Sequence, residues 1–245
     1  MSRVAVVSDI HGNLHALRAV LADADAHHAG ALWCLGDTVG YGPRPNECVG
    51  LMRERAQACL AGNHDLGAIG RLSLDDFNPY AAEANRWTAT VLTTNERDFL
   101  SGLSSKCVAG DVTLAHGSPR EPVWEYLVSE EVALASFRYF DTALCLVGHS
   151  HIPFYCMERP PGEHAYLVHL TEDEPVPLQG RRAIVNPGSV GQPRDGDSRA
   201  SYALLDTDAE QVTLRRVAYD IAATQREMGD AGLPSRLIER LSHGH

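Results

Sequence analysis

Short apolar runs alternate with helical periodicity over the first hundred residues. "RVAVVS" and "ALWCLG" have the apolar, partly β-branched character of strands, and the segment between them is predicted to be a helix with Asn13 as N-cap. One face of that helix carries five apolar residues: Leu14, Leu17, Val20, Leu21 and Ala24. A second helix is predicted to begin near Pro45, and "AQACLAG" is predicted to be a third strand. This βαβαβ pattern indicates a parallel sheet covered by helices.

The rest of the chain changes from mainly helical to mainly strand-like periodicity. Helices are predicted from about Tyr80 to Leu103 and over "SEEVALASFRYF", which Ser129 opens with two glutamates in the first turn. Five strand-like runs then follow "ALCLVGHSH" at hairpin-like spacing: "PFYCMER", "AYLVHL", "RAIVNPGS", "SYALLD" and "VTLRRVAY". "TEDEPVP" between them is predicted to be a solvated hairpin loop, and the tail from Asp220 onward is predicted to be helical.

The order of these elements predicts one α/β domain over residues 1–245. Two strand-rich halves with helices outside them indicate a four-layer α-β-β-α sandwich of two mixed β-sheets. A helical, cap-like segment is expected at about 67–103.

Composition and charge narrow the classes of protein. The chain is 44% hydrophobic and 22% charged, no apolar segment approaches the length of a membrane span, and the first residues lack a signal-peptide pattern, so we expect a cytoplasmic protein. A net charge of -11 argues against a general nucleic-acid or anionic-membrane surface. It does not exclude a small phosphorylated substrate, because divalent cations can reverse the local charge. Oligomeric state is not indicated.

The six cysteines form no C-x-x-C motif, and five of them lie in apolar, strand-like runs. They are interpreted as reduced core residues, with disulfides or thiolate metal sites as minor alternatives.

Polar clusters recur at one structural position, directly after an apolar strand. They are "SDIHGN", "GDTVG", "GNHD", "HGSP" and "GHSH". The carboxyl ends of parallel strands converge on a crevice where ligands bind, so clusters about 140 residues apart are expected to meet. In the last cluster, an extended chain would point His149 and His151 to the same side, as a metal site requires. An isolated H-x-H is also compatible with two ordinary polar loop residues.

The side chains of these clusters make up a recognisable donor set: Asp9, His11, Asp37, Asn63, His64, Asp65, His116, His149 and His151. Without His64 and Asp65, two aspartates, one asparagine and four histidines remain, which fits manganese, iron, zinc, nickel or cobalt. Seven residues are too many for one tetrahedral ion. A shared carboxylate would let them serve two ions, and Asp37 is the natural bridge because it is the single ligand of its strand end.

Taken in order, D-x-H, G-D, G-N-H-D, H-G and G-H-x-H resemble the signatures of the calcineurin-like metallophosphoesterase superfamily. These signatures span residues 9 to 151. "GDTVGYGPRPNE" and "NPGSVGQPRDGD" are similar to the small bacterial and archaeal branch of that family.

The resemblance implies a dinuclear centre and a reaction. One divalent metal would be held by Asp9, His11, Asp37 and His151. The other would be held by Asp37, Asn63, His116 and His149. The implied reaction is in-line attack of a metal-bridging hydroxide on a phosphodiester, cyclic nucleotide or phosphomonoester, without a covalent enzyme intermediate.

Two residues outside the ligand set are candidates for catalysis. His64 would stabilise the developing charge or protonate the leaving oxygen. Asp65 would fix the tautomer of His64, and the alternative for Asp65 is helix N-capping. Among the remaining histidines, only His15 is considered as a support for the centre, one helical turn from His11.

One departure from the family pattern concerns substrate. Phosphoprotein phosphatases and symmetrical diadenosine tetraphosphatases of this superfamily continue the second motif as G-D-x-V-D-R-G, whereas this chain reads "GDTVGYG". Tyr41 is therefore a candidate substrate contact, with a rigid turn as the alternative. Arg194 is a candidate phosphate contact, with a surface ion pair as the alternative.

Two competing functions stay open, a non-catalytic scaffold like the retromer subunit of this fold and a phosphoprotein phosphatase.

Overall fold

A computed structural model describes residues 3–159, 162–178 and 180–245, so five positions of the 1–245 domain lie outside the described residues. Two mixed six-stranded sheets pack face to face with helices outside them, which confirms the predicted sandwich. The first sheet has the order β3 (Ala58–Cys59), β2 (Ala31–Cys34), β1 (Arg3–Val7), β11 (Ala200–Asp206), β12 (Gln211–Val217), β9 (Val176–Pro177). The second has the order β4 (Lys106–Ala109), β5 (Val112–Ala115), β6 (Leu144–Leu146), β10 (Ala183–Pro187), β7 (Pro153–Glu158), β8 (Ala165–His169).

The helices lie on the outer faces and around one end of the strands. In chain order they are α1 (Leu14–Ala26), α2 (Pro45–Arg55), α3 (Asn63–Ala68), α4 (Pro79–Val91), α5 (Thr94–Ser101), α6 (Glu130–Ser136), α7 (Ile221–Asp230) and α8 (Ser235–Arg240), with a 3-10 turn at Phe137–Tyr139 after α6. Within the described ranges, none of them combines the length and apolar character that a bilayer crossing needs.

Three apolar layers hold the sandwich together. Val6, Leu114 and Leu146 belong to the core between the two sheets. Leu17 of α1 packs on the outer face of the first sheet, and Phe137 packs on the outer face of the second. Burying a side chain of this size contributes roughly 1.5–3 kcal/mol, so the position of each sheet is set mainly by these contacts.

Helix α1 begins where the sequence predicted. The side chain of Asn13 accepts the N–H of Ala16 as an N-cap, and the five apolar residues predicted for one face are all buried. The amide nitrogen of Asn13 also donates to the carbonyl oxygen of Gly191 at 3.1 Å. This cap therefore joins the start of α1 to the loop between β10 and β11.

Two short strands differ from the sequence-based expectation. Strand β4 forms an antiparallel hairpin with β5 that the pattern did not predict. "TEDEPVP" is not wholly a solvated loop, because Val176 and Pro177 pair with β12 as strand β9. Proline is tolerated there because β9 is an edge strand. Both strands form through pairing with a neighbour rather than through their own periodicity.

A partly buried ion pair ties α1 to the first sheet. Arg215 donates to both carboxylate oxygens of Asp23 at 3.3 Å, and the hydroxyl of Tyr202 donates to Asp23 at 2.7 Å. Burial alone would raise the pKa of Asp23, but these hydrogen bonds outweigh it and hold the pKa below its ordinary value. Asp23 is therefore charged wherever the fold is intact near neutral pH.

The parallel strands bring the polar clusters to one edge. Strands β1, β2 and β3 are mutually parallel, as are β5, β6 and β10 in the other sheet. Their carboxyl ends carry the loops that contain the predicted site residues. All six cysteines are free thiols, and four of them are buried.

Candidate metal centre

The loops at this edge hold an unusual backbone conformation. Six residues of the candidate site have a positive φ: Asp9 (53°), His11 (52°), Asp37 (53°), Tyr41 (56°), His149 (65°) and His151 (60°). Such conformations cost roughly 1–3 kcal/mol each and persist only where surrounding structure holds them. The extended geometry expected for His149 and His151 is wrong, since β6 ends at Leu146 and both histidines are left-handed loop residues.

Two imidazoles present their lone pairs to the same point. His11 Nδ1 lies 3.1 Å from the carbonyl oxygen of Val39, and His151 Nδ1 lies 2.6 Å from that of Gln192. A carbonyl only accepts hydrogen bonds, so each Nδ1 carries the proton and each Nε2 is left unprotonated. The two Nε2 atoms face each other at 3.2 Å. Opposed lone pairs at this distance repel each other unless both bind a cation, so this arrangement could hold a metal ion.

A second group of donors converges in the same way. His116 Nδ1 donates to the carbonyl oxygen of Leu35 at 2.9 Å, which leaves its Nε2 facing Asn63 Oδ1 at 3.2 Å. Two acceptors again point at each other. His149 Nε2 is buried without a hydrogen-bond partner among the described residues. A buried imidazole nitrogen left in this state is costly unless it binds something.

The two aspartates complete these groups. Asp37 Oδ2 lies 3.8 Å from His11 Nε2 and 3.5 Å from His116 Nε2, so it stands between the two sets of imidazoles. Asp9 Oδ1 lies 3.3 Å from His151 Nε2 and has no hydrogen-bond partner in the described part of the chain. Three overlapping sets of possible ligands result: Asp9, His11 and His151; His11, Asp37 and His64; Asp37, His116 and His149.

Burial sets the electrostatics of the centre. All seven predicted metal ligands are at most 3% exposed. Loss of hydration lowers the pKa of the four histidines among them, which keeps the rings neutral and able to donate a lone pair. Loss of hydration, together with the charges of Asp65 and Asp9, raises the pKa of Asp37 well above its ordinary range. A bound cation would offset that penalty, so the donors fit metal ions of the nitrogen- and oxygen-preferring kind.

The predicted role of Asp65 does not match its contacts. Its carboxylate accepts the main-chain N–H groups of Gly62 (2.9 Å), Val39 (3.0 Å) and Thr38 (3.3 Å). These bonds fasten the start of α3 to the turn that carries Asp37. This role is close to the helix-capping alternative considered for Asp65. Asp65 therefore braces two site loops rather than orienting the His64 ring.

The ring of His64 is held by other groups. Asn85 of α4 places its amide nitrogen 3.4 Å from His64 Nδ1, and the rings of Tyr41 and Phe77 lie 4.4 and 5.1 Å from the His64 ring between centroids. Because the amide nitrogen of Asn85 can only donate, Nδ1 of His64 accepts this hydrogen bond and the ring proton lies on Nε2. Burial first, and then the charge of Arg194, lower the pKa of His64, so the ring is neutral. Sequence reasoning missed Asn85, although an amide on the small apolar face of α4 was a usable signal.

Tyr41 lies behind the centre. It is 4% exposed and packs against Leu237 and Leu241 of the C-terminal segment, with its ring 4.6 Å from that of His11. This burial favours the rigid-turn interpretation over a direct substrate contact. His15 does not support His11 either, because its Nε2 lies 3.2 Å from a carboxylate oxygen of Glu227.

Arg194 faces the centre. Its main-chain N–H is 3.4 Å from the carbonyl oxygen of His151, and its Nη2 donates to the side chain of Gln192 at 3.1 Å. Its Nε is buried without a hydrogen-bond partner, and no carboxylate of the described residues forms an ion pair with it. The described contacts therefore do not support the surface ion-pair alternative for Arg194.

A larger cavity lies away from this cluster. It measures about 610 Å³ and sits at the opposite end of the strands, where its lining includes Val4, Ala31 and Leu144. That lining contains no histidine or cysteine. The chemistry-bearing groups of the described residues are instead concentrated in the tight cluster at the carboxyl edge.

The sandwich and its buried aspartate and histidine cluster define a class of metal-binding phosphoesterases, and the chain belongs to it: residues 2–210 match the calcineurin-like phosphoesterase superfamily domain. A metallophosphoesterase from Sphaerobacter thermophilus, known from its crystal structure, is 47% identical, covers 100% of this chain and 99% of its own, and superimposes with a TM-score of 0.91.

Two archaeal proteins are also similar over nearly the whole length. The Methanocaldococcus jannaschii protein MJ0912, described as uncharacterized, is 41% identical over 99% of this chain and 98% of its own. The hypothetical protein PH1004 from Pyrococcus horikoshii is 22% identical over 100% of this chain and 99% of its own, with a TM-score of 0.80. The latter shows the shared fold alone.

Proposed function

We propose that this chain is a dinuclear, metal-dependent phosphoesterase that hydrolyses a small phosphorylated substrate, namely a phosphodiester, a cyclic nucleotide or a phosphomonoester. The observation that carries the proposal is the pair of Nε2 lone pairs of His11 and His151 facing each other at 3.2 Å beside the unpartnered Asp9 Oδ1. Family membership supplies the reaction class.

The ligand sets follow from the two converging groups. We assign Asp9, His11, Asp37 and His151 to one ion, and Asp37, Asn63, His116 and His149 to the other. When bound, two divalent cations (Mn, Fe, Zn, Ni or Co) would acidify water and hold phosphoryl oxygens for an in-line displacement. Four positive charges less the two aspartates leave about two, which favours an anionic substrate despite the acidic surface.

Residues beside the ligands take the remaining tasks. His64, with its proton on Nε2, donates to the leaving oxygen, and Asn85 holds that tautomer. Arg194 offers an unpartnered guanidinium N–H to a phosphoryl oxygen. Asp65 acts through the main chain by keeping the Asp37 turn against α3.

The segment at about 67–103 serves in this proposal as a cap. Phe77 and Asn85 reach His64 from it, so its packing influences what enters the centre. A cytoplasmic location also belongs to the proposal, supported by six free thiols of the kind that reducing compartments maintain.

The test is metal analysis combined with a substrate and metal screen. Purified protein is expected to hold up to two metal equivalents and to hydrolyse at least one of a set of monoesters, diesters, cyclic nucleotides and phosphopeptides with added Mn, Ni, Zn or Fe. Asp37→Asn is expected to abolish turnover, and the exposed Asp98→Asn serves as its matched control. An active Asp37→Asn variant, or protein that binds no metal, contradicts the proposal.

The same screen separates the competing functions. Phosphopeptide hydrolysis alone would point to a phosphoprotein phosphatase, against the missing D-R-G motif. Failure of every ester, together with a stable stoichiometric partner, would point to a scaffold instead.

A further inference from the structure

A continuous row of aromatic rings borders one side of the metal centre. Phe77 lies 5.1 Å from His64 and 5.0 Å from Trp124, measured between ring centroids. Trp124 lies 6.4 Å from His149, on which Tyr126 stacks at 4.0 Å with 23° between the ring planes. We call Phe77, Trp124 and Tyr126 the aromatic wall. It reaches from His64, the proposed proton donor, to His149, an assigned metal ligand.

The wall is open to solvent, unlike the centre beside it. Tyr126 is 46% exposed, and Phe77 and Trp124 are partly exposed. His149, which Tyr126 covers, is 3% exposed. One face of the Tyr126 ring therefore lies against His149 while much of the rest of the ring remains available. Exposed rings that border a buried polar centre mark a place for an apolar, planar group.

The loop that carries Trp124 and Tyr126 is firmly held. The N–H of Gly117 donates to the carbonyl oxygen of Pro122 at 2.7 Å, and Arg120 forms an ion pair with Glu125. A Cβ at Gly117 would lie 2.9 Å from the carbonyl oxygen of Glu121, so this tight turn needs glycine. Leu127, next to the wall, is 1% exposed and anchors the loop in the core. The rings are thus positioned before any ligand arrives.

Arg194 is a cationic residue beside the centre and is not part of the aromatic wall. Its main-chain N–H lies 3.4 Å from the carbonyl oxygen of His151, and its guanidinium Nε is buried without a hydrogen-bond partner among the described residues, so this cation stands beside the centre that the wall borders. A ligand that satisfies both features carries phosphate and a flat ring on one molecule. Nucleotides have this chemistry, and stacking of a base on aromatic rings tolerates different bases.

We propose that the aromatic wall binds the nucleobase of the substrate, so that nucleotide phosphoesters are the preferred substrate class. This inference rests on the proposed function. Trp124 and Tyr126 supply the stacking surface and determine specificity, while the phosphoryl group occupies the metal centre. Because stacking on ring faces tolerates different bases, the wall selects for the presence of a base rather than for one particular base.

The first experiment compares substrates that differ only in the base. Adenosine 5′-monophosphate and ribose 5-phosphate form one pair, and their methyl phosphodiesters form the other, all with added Mn²⁺. The wild type is expected to favour the base-bearing member about tenfold in kcat/KM. Trp124→Ala or Tyr126→Ala is expected to reduce that ratio about tenfold. Tyr126→Phe is expected to keep the ratio, because stacking uses the ring face.

Tyr166→Ala provides the matched control. Tyr166 is 52% exposed on β8 and takes no part in the wall, so the ratio of the two kcat/KM values should not change in this variant. A wild-type ratio near one, or equal losses on both substrates in Trp124→Ala, would overturn the inference.

The second experiment reads binding without turnover. Adenosine 5′-monophosphate is expected to quench tryptophan fluorescence while ribose 5-phosphate does not, and Trp124→Phe is expected to remove the quenching although Trp33 and Trp87 remain. Quenching that survives Trp124→Phe counts against the wall. Base-dependent quenching without hydrolysis of any ester would contradict only the proposed function. Hydrolysis without base preference would contradict only the role proposed for the aromatic wall.

Discussion

Replacing Gly40 by alanine tests whether the position of His64 controls activity. A Cβ at residue 40 would lie 2.9 Å from Cγ and 3.0 Å from Cβ of His64, and closer still to Nδ1, whereas ordinary contact begins at 3.4 Å. The imidazole would therefore have to move by about 0.5 Å or more. Asn85 and the Tyr41 ring lie against it and oppose that movement.

The backbone adds a second penalty. Gly40 has a φ of +91°, a conformation that side chains rarely adopt. The strain and the overlap together are expected to lower the free energy of unfolding by about 2 kcal/mol or more. Displacing a proton donor by this distance is expected to reduce kcat about tenfold or more, since misplacement by about 1 Å costs roughly a hundredfold.

The assay combines urea unfolding with kcat on the best ester found in the screen, and metal content is measured on the same samples. Metal binding should persist, because neither Gly40 nor His64 is assigned as a metal ligand. Gly50→Ala in α2 is the control: a Cβ there meets nothing within 4 Å, so stability should rise by roughly 0.5–1 kcal/mol without loss of activity. If Gly40→Ala keeps both wild-type kcat and wild-type stability, the reasoning about His64 fails.

Three further predictions address other parts of the molecule. His149→Ala and His151→Ala should each deplete one metal equivalent selectively, and equal loss of both ions from both variants would contradict the assigned division. Asn85→Ala should lower kcat severalfold with metal content unchanged, because Asn85 orients the ring of His64. An unchanged kcat would show that Asn85 has no part in orienting that ring. Asp23→Asn should destabilise the fold by about 1 kcal/mol near neutral pH. Because the pKa of Asp23 is lowered from 3.8 in the fold, its contribution is present above pH 3.8 and disappears as the pH falls through the folded value, so a pH-independent loss would refute this account.

Local rules account for the parts of the fold that were predictable. Helix α1 and its Asn13 cap depend on residues a few positions apart, and so does the turn from each strand into its polar cluster. The convergence of the clusters followed from parallel pairing, which places successive strand ends at one edge. Six of the seven predicted metal ligands cluster there and the seventh, Asn63, lies 3.2 Å from His116, although His149 and His151 reach the centre from left-handed loop conformations rather than from an extended strand.

Other features depend on contacts between distant segments. The carboxylate of Asp65 has its partners in the turn after β2, and the ring of His64 has its neighbour Asn85 in another helix. The aromatic wall joins Phe77 to Trp124 and Tyr126 across a gap of more than forty positions. No local periodicity encodes such pairs, because each member is unremarkable within its own segment.

The sequence by itself determined the donor types, their order along the chain and the strand ends that carry them, because those properties belong to single segments. Only the tertiary structure decided that Asn85 lies beside His64, that Tyr41 is buried behind the centre and that the aromatic wall lies open beside it. The physical reason is that side-chain packing between the sheets and helices fixes distances that no single segment specifies.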